Sequence, residues 1–332
     1  MTTLIGPGGA GDPGGTDQLT TARQAPAGVL GGGGGITGAR SARRMARAIT
    51  SNRKATVGMA LLVIFGFVAL FPGLIAHDNP SAEIYPRSLG PSAQHLLGTT
   101  AFGQDMFAQV IYGTRPVLLI AFGVGIGATI IAMLVGVAAA YLGGAWDGVL
   151  NLLTDVLLVI PAFPLLIVIG SYLHGASTGV LIAVIMCISW SYTARQLRAQ
   201  ARSLRTRDYL EAAKVRGERA FYIITVEIIP TMTSLLVAAF LTNALYAVLF
   251  SVSLQFIGLG NPSDVSWGTM LYWAENNEAF QTGQALWIIV PGLCIVALGA
   301  AFALLNYAFD EIGNPALRPV RSMRRNRVKR PG

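Results

Sequence analysis

RDYLEAAKVRGERAFYIITVEIIP, residues 207–230, is a polar, basic interruption between two long apolar runs, and its pattern is helical rather than loop-like. Asp208 followed three residues later by Glu211 predicts a capping box at a helix start. Tyr209, Ala212, Ala213 and Arg216 follow at helical spacing, with two small residues in the middle. Gly217 is expected to end this short helix, because glycine alone turns the chain there without a Cβ penalty. A second helical stretch, 220–229, returns to an apolar pattern, and Pro230 is expected to open the next long run. Helix, glycine hinge, helix and proline between apolar runs describe a structured element held at a membrane surface.

Composition supports the membrane. Of 332 residues, 53% are hydrophobic and 12% charged, against about 25% charged in an ordinary soluble domain. Mean hydropathy is +0.57. Residues 55–76, 116–146, 156–194, 228–263 and 279–309 contain no Asp, Glu, Lys or Arg. A helix needs about 20 apolar residues to cross a bilayer core. The run 156–194 is long enough for two spans, broken at His174-Gly175-Ala176-Ser177. The expected fold is therefore an all-α polytopic membrane protein with six transmembrane helices, at 57–76, 116–142, 150–172, 180–199, 231–259 and 286–309.

The net charge of +8 is not spread evenly. Seven Lys/Arg lie in 1–54, eight in 195–219 and seven in 318–330, leaving Arg87 and Arg115 as the exceptions. With six crossings those three segments share one side, which the positive-inside rule makes cytoplasmic, N-in and C-in. Basic clusters that bind nucleic acid interleave with aromatics, and these do not, so membrane lipid is the expected contact. Residues 1–40 hold thirteen glycines and almost no large apolar side chain, which predicts a disordered tail. Gly31 to Gly35 are not followed by the Gly-Lys-Ser/Thr of a phosphate loop, so this chain has no cradle for ATP. Nor does the N-terminus carry a secretory signal, since the first apolar run starts only near Ala55. Arg40 to Lys54 reads as a basic lead-in on the inner leaflet. Cys187 and Cys294 lie within expected spans, without His or Cys neighbours at ligand spacing, and read as apolar packing residues.

Three motifs occur in order. The first is HLLGTTAFGQDMFAQVIYGTR, 95–115; the second is the 207–230 stretch; the third is SLQFIGLGNPSDVSWGTML, 253–271. Glu211-Ala212-Ala213, Gly217 and a hydrophobic-Pro pair ending at Pro230 resemble the EAA loop of ABC importer permeases. The other two resemble signatures of the dipeptide/oligopeptide/nickel branch of that family, and the likeness covers roughly 55–318. Departures exist. Glu227 stands where the EAA pattern has an apolar residue, Ile229 replaces Leu, Thr100 and Gln104 replace an Asp and an Arg, and Ser251 replaces a Glu.

The resemblance implies an ABC importer permease fold. It divides the chain into a cytoplasmic N-terminal segment (1–54), a first helix with an extracytoplasmic segment (55–113), a five-helix core (114–310) and a basic tail (311–332). The loop at 205–230 would dock on an ATPase through Asp208, Tyr209, Glu211, Ala212, Ala213, Arg216, Gly217 and Pro230. Implied partners are a second homologous permease chain, two ATPase domains that hold ATP and Mg, and an extracytoplasmic solute-binding protein, in a bacterial plasma membrane. No cofactor, catalytic residue or metal belongs to this chain on that reading; it is a transport subunit and not an enzyme. Di- and oligopeptides lead as cargo, with nickel chelates, glutathione and haem as the alternatives.

Within the spans, Gly123-x-x-x-Gly127 marks a close helix contact. Tyr141 to Gly144 with Asp147 reads as a tight turn. Pro161 and Pro164 free backbone carbonyls at membrane depth, where irregular backbone often lines a path. Asp155 is the deepest carboxylate and needs a partner, Arg195 or Arg198. Asn243, Ser251, Ser253 and Gln255 either line a hydrophilic path or bond between helices. Trp267, Tyr272 and Trp273 read as interface aromatics. His95 and Asp105 lack a third ligand for a metal. Two rival functions remain: a secondary transporter or channel, which needs no ATPase, and a membrane enzyme, for which the three histidines are too scattered.

Overall fold

The computed structural model describes residues 52–173 and 175–313, with side chains to 310. The glycine-rich tail, nearly all of the basic lead-in, His174 and the basic tail after Pro315 lie outside the described residues. Those that are described form helices: α1 (Arg53–Leu70), α2 (Pro72–Ile75), α3 (Met106–Leu142), α4 (Gly144–Val159), α5 (Ala162–Tyr172), α6 (Thr178–Arg205), α7 (Asp208–Val215), α8 (Ala220–Thr231), α9 (Thr233–Phe256), α10 (Trp267–Asn276) and α11 (Leu286–Gly313). Five of them, α1, α3, α6, α9 and α11, are long and apolar enough to cross a membrane, and α4 with α5 makes a sixth crossing if the bent pair counts as one.

Four boundaries differ from expectation, each for a local reason. The first expected span, 57–76, ends early at Phe71, and Pro72 begins a separate turn. The second begins at Met106 rather than Pro116, so the 113/114 boundary cuts through a helix. Asp105 caps it by accepting the Ala108 N–H at 2.7 Å, and α3 carries Pro116 inside its 37 residues. At 1.5 Å per residue α3 is about 55 Å long, well beyond a ~30 Å hydrocarbon core. The third expected span, 150–172, is not one straight helix. Pro161 cannot donate a backbone bond and drives Ile160 to an extended conformation (ψ 125°), so α4 and α5 meet at 83°. Pro230 does not open the fifth span; it lies inside α8, and the chain breaks at Met232 before α9.

The apolar interior forms two connected clusters. One gathers α3, α5, α6, α7 and α8 around Val124, Ile185, Leu197, Leu210 and Ile228. The other packs α1, α10 and α11 on α3 and α9 around Val117, Val248, Trp267 and Phe302. Gly123 and Gly127 face Ile182 and Met186 of α6, as a packing face should. At Gly136 a Cβ would meet the Ala194 carbonyl at 2.5 Å, so α3 and α6 cross there backbone to backbone.

Several chain ends meet at one end of the bundle. Lys54 at the start of α1 lies 4.0 Å from the Tyr307 ring near the end of α11. Arg205, ending α6, donates to the Ala140 carbonyl (3.2 Å) near the end of α3. At the opposite end, residues from 81–104, 262–273 and Trp287 share a cleft of about 360 Å³.

Candidate functional site

The loop between α6 and α9 is built on its own chain. Leu210, Ala213, Ile223 and Ile228 are buried in the first apolar cluster and anchor α7 and α8. The expected capping box is absent: Arg207 occupies the cap position, no side chain bonds there, and Asp208 and Glu211 sit in the first turn instead. There their carboxylates complement the positive end of the helix dipole. Gly217 does end α7, at φ +79°. Its N–H donates to the Lys214 carbonyl (3.0 Å) and the Glu218 N–H to the Ala213 carbonyl (3.2 Å), the two bonds of a Schellman turn.

The two alanines separate. Ala212 is exposed with Asp208, Tyr209, Glu211, Arg216 and Gly217, while Ala213 is wholly buried and belongs to the anchor rather than to a docking face. Two exposed apolar residues were not singled out from sequence: Val215 (88% exposed) and Phe221 (78%) flank the Gly217 turn. Their signal was present, since large apolar side chains in a charged, surface-held segment ask for a partner. In α8, residues Ile223–Ile228 widen into a π-type turn. Pro230 supplies the physical reason, because its ring and missing N–H disturb the backbone one turn earlier. Thr225 and Thr231 bond the Phe221 and Glu227 carbonyls at 2.8 and 2.7 Å.

Arg195 pairs with Asp155, whose other oxygen accepts from Asn151 at 2.7 Å. Arg198, the other candidate, instead grips Asp147 with two bonds of 2.8 and 2.9 Å and ties α4 to α6. Asp155 is 41% exposed and Arg195 55%, so the pair is not deeply placed in the chain. Asp155→Arg is expected to lower activity of the assembled protein by breaking this contact between α4 and α6, and the reversed pair Asp155→Arg with Arg195→Asp to restore it.

The polar residues of α9 divide. Asn243 is 3% exposed, accepts from Thr193 Oγ1 and donates to Thr129 Oγ1, both at 3.0 Å, stapling α9 to α6 and α3. It also borders a cleft of about 320 Å³ with Pro161. Pro164 is exposed one turn further along. Ser251 (1%) bonds the Val248 carbonyl, and Gln255 (6%) accepts from Ser266 Oγ at 2.7 Å. These two face the packed interior of the chain, because the crossing of α9 with its neighbours turns them inward. Ser253 is half-buried.

On the far side, His95 Nδ1 lies 2.7 Å from Asp105 Oδ2, so both oxygens of Asp105 are used in fixing the start of α3. Gly98 (φ +85°) crosses against the Leu89 carbonyl, where a side chain would collide. Tyr85 donates to Asp78 (2.8 Å), which holds its phenol above the ordinary range. Trp267 is not an interface aromatic. It is fully buried, donating to the Val110 carbonyl at 3.0 Å, while Tyr272 and Trp273 are half-buried. Cys187 is exposed and Cys294 half-buried, so only the latter packs inside the chain.

Apolar helices long enough to span a bilayer, with one short two-helix element between α6 and α9, define a polytopic membrane component. Residues 128–312, more than half of the chain, match the family of binding-protein-dependent transport system inner membrane components, and the chain belongs to that family. It is similar to the oligopeptide transport system permease protein OppC of Mycobacterium tuberculosis H37Rv, 30% identical over 83% of this chain and 94% of that one. A putative peptide transport system permease protein of Brucella suis is 30% identical over 82% and 91% of the two chains. The dipeptide transport system permease protein DppC of Alkalihalophilus pseudofirmus is 28% identical over 83% and 90%. The chain is thus a multi-pass transport component and not itself an enzyme.

Proposed function

We propose that this chain is one permease half of an ATP-driven importer of short peptides, coupled to its motor through α7 and α8. The observation that carries the reading is the exposed face of that element. Tyr209, Glu211, Val215 and Phe221 stand out from a helix pair whose other face is locked into the chain's own apolar interior by Leu210, Ala213, Ile223 and Ile228. Such an element moves only with the spans. An eight-residue helix is about 12 Å long, enough to seat in a cleft and pass on a rigid-body displacement. A second permease chain completes the path, two ATPase domains supply ATP and Mg, and an extracytoplasmic binding protein delivers cargo to the side opposite α7. The basic residues around α7 make that side cytoplasmic. The similarity to oligopeptide and dipeptide permeases supports peptides over nickel, glutathione or haem.

Reconstitution tests this. The chain assembled with its partners is expected to take up a di- or tripeptide only with ATP, and Glu211→Lys to lower ATPase co-purification about tenfold, as a charge reversal at a docking face does. ATP-independent flux by the chain alone would replace this reading with a secondary transporter or channel. ATP-driven uptake of a nickel chelate or haem in place of peptide would leave the coupling reading standing and change the cargo.

A further inference from the structure

Besides the 320 Å³ cleft beside Pro161, a second cleft of about 620 Å³ lies between α6, α9 and α11. The two have two residues in common, Tyr192 and Tyr246. Above these rings the walls are mostly apolar and aromatic, with Leu157, Ile160 and Phe250 beside Ser189 and Asn243. Below them polar groups stand among small and apolar ones: Gln196, Gln200 and Ser203 on α6, Thr242 on α9, and Asn306 and Asp310 on α11, beside Leu235 and Ala238. Helical spacing explains the stripes, since Tyr192, Gln196, Gln200 and Ser203 follow one another on one face of α6. On α9 the same face runs Leu235, Ala239, Thr242 and Tyr246. The Thr193–Asn243 hydrogen bond pins α6 against α9 and holds the two tyrosines at one depth. That level lies about 16 Å along α9 from Leu235.

Gln196, Gln200 and Asp310 are exposed, and Asp310 makes no ion pair among the described residues. A lipid-facing stripe of this kind is strongly disfavoured, so the lower cleft meets water or a partner. Tyr192 and Tyr246 are themselves about half exposed, at 53% and 46%. Tyr246 stacks on Phe250 and Phe250 on Phe163 of α5, with ring centroids 6.1 Å apart at each step. The ladder joins the ring pair to the helix that follows the 83° break.

We propose that Tyr192 and Tyr246 form a ring constriction dividing the solute path into a polar chamber, open toward the α7 side, and an aromatic chamber beside the α4–α5 break. This rests on the permease reading. The lower chamber offers amide and hydroxyl groups to a peptide backbone and a single carboxylate, Asp310, to its ammonium group. The rings rather than the phenol oxygens are the proposed closing groups.

The test uses the assembled transporter in inside-out vesicles, with Cys187→Ala and Cys294→Ala as background and one new cysteine at a time. A membrane-impermeant maleimide added from the α7 side is expected to label Gln196→Cys quickly and Ser189→Cys, above the rings, about tenfold more slowly, as a hydrophobic constriction would impose. Tyr192→Ala with Tyr246→Ala should bring the two rates together, whereas Tyr192→Phe with Tyr246→Phe should keep them apart. If the alanine pair does not assemble with its partners, Tyr192→Ala alone is read, with an intermediate rate expected. Equal labelling with both rings intact overturns the constriction, as does slow labelling of Ser189→Cys after their removal. An unlabelled Gln196→Cys would place the lower cleft against a partner chain and overturn the chamber. No peptide is needed for these readings, so failure of peptide uptake with the labelling pattern intact counts against the cargo alone.

Discussion

Gly217→Pro is expected to abolish ATP-driven uptake while the chain remains in the membrane. Proline locks φ near −65°, and the chain needs +79° at this position. The substitution also removes the N–H that donates to the Lys214 carbonyl, so the turn that sets the angle between α7 and α8 cannot form. Gly217→Ala separates the causes. No atom lies within 4 Å of a Cβ built there, which leaves only the left-handed backbone penalty of about 1–2 kcal/mol. That corresponds to a loss of about 5- to 30-fold if the bent form is the one that docks. Uptake and ATPase co-purification measured on both variants should fall in the order glycine, alanine, proline. Uptake by the proline variant at the level of the parent would show that the turn carries no movement.

Trp267→Ala is the substitution expected to weaken the folded chain most. Trp267 is wholly buried where α10 meets α1 and α3, its ring edge-on to Phe65 at 5.7 Å. The contact is tight, since a Cβ on Gly113 would lie 3.2 Å from the indole. Removing the ring leaves a cavity in an interior that cannot collapse around it, which costs about 3–5 kcal/mol. Trp267→Phe keeps most of the volume and loses the bond to the Val110 carbonyl, about 1 kcal/mol. Thermal unfolding in detergent should rank parent, phenylalanine and alanine in that order. If alanine and phenylalanine melted together, the hydrogen bond and not the packing would hold this corner.

The part of the candidate site that could be read in advance was the part governed by local backbone rules. Gly217 ends α7 as the residue pattern predicts, because a positive φ is a property of one residue and its neighbours. Pro161 breaks the third span for a similar reason, although the size of the bend depends on what α4 and α5 pack against. The Asp208/Glu211 spacing misled. Capping boxes require the first residue to sit just outside the helix, and α7 begins one residue too early for that. Neighbouring Ala212 and Ala213 are alike in sequence, and only the packing of α7 on the core shows that one is a surface and the other an anchor.

Charge-free run lengths, the clustering of arginine and the positions of glycine and proline are one-dimensional facts, and they determined the membrane-spanning helical class and the hinge between α7 and α8. Which arginine meets Asp155, which polar residues of α9 turn inward, and that Tyr192 and Tyr246 stand level with each other were decided only by how the helices cross. Crossing angle and register arise from side chains far apart in the chain competing for the same space, and no local pattern encodes the outcome.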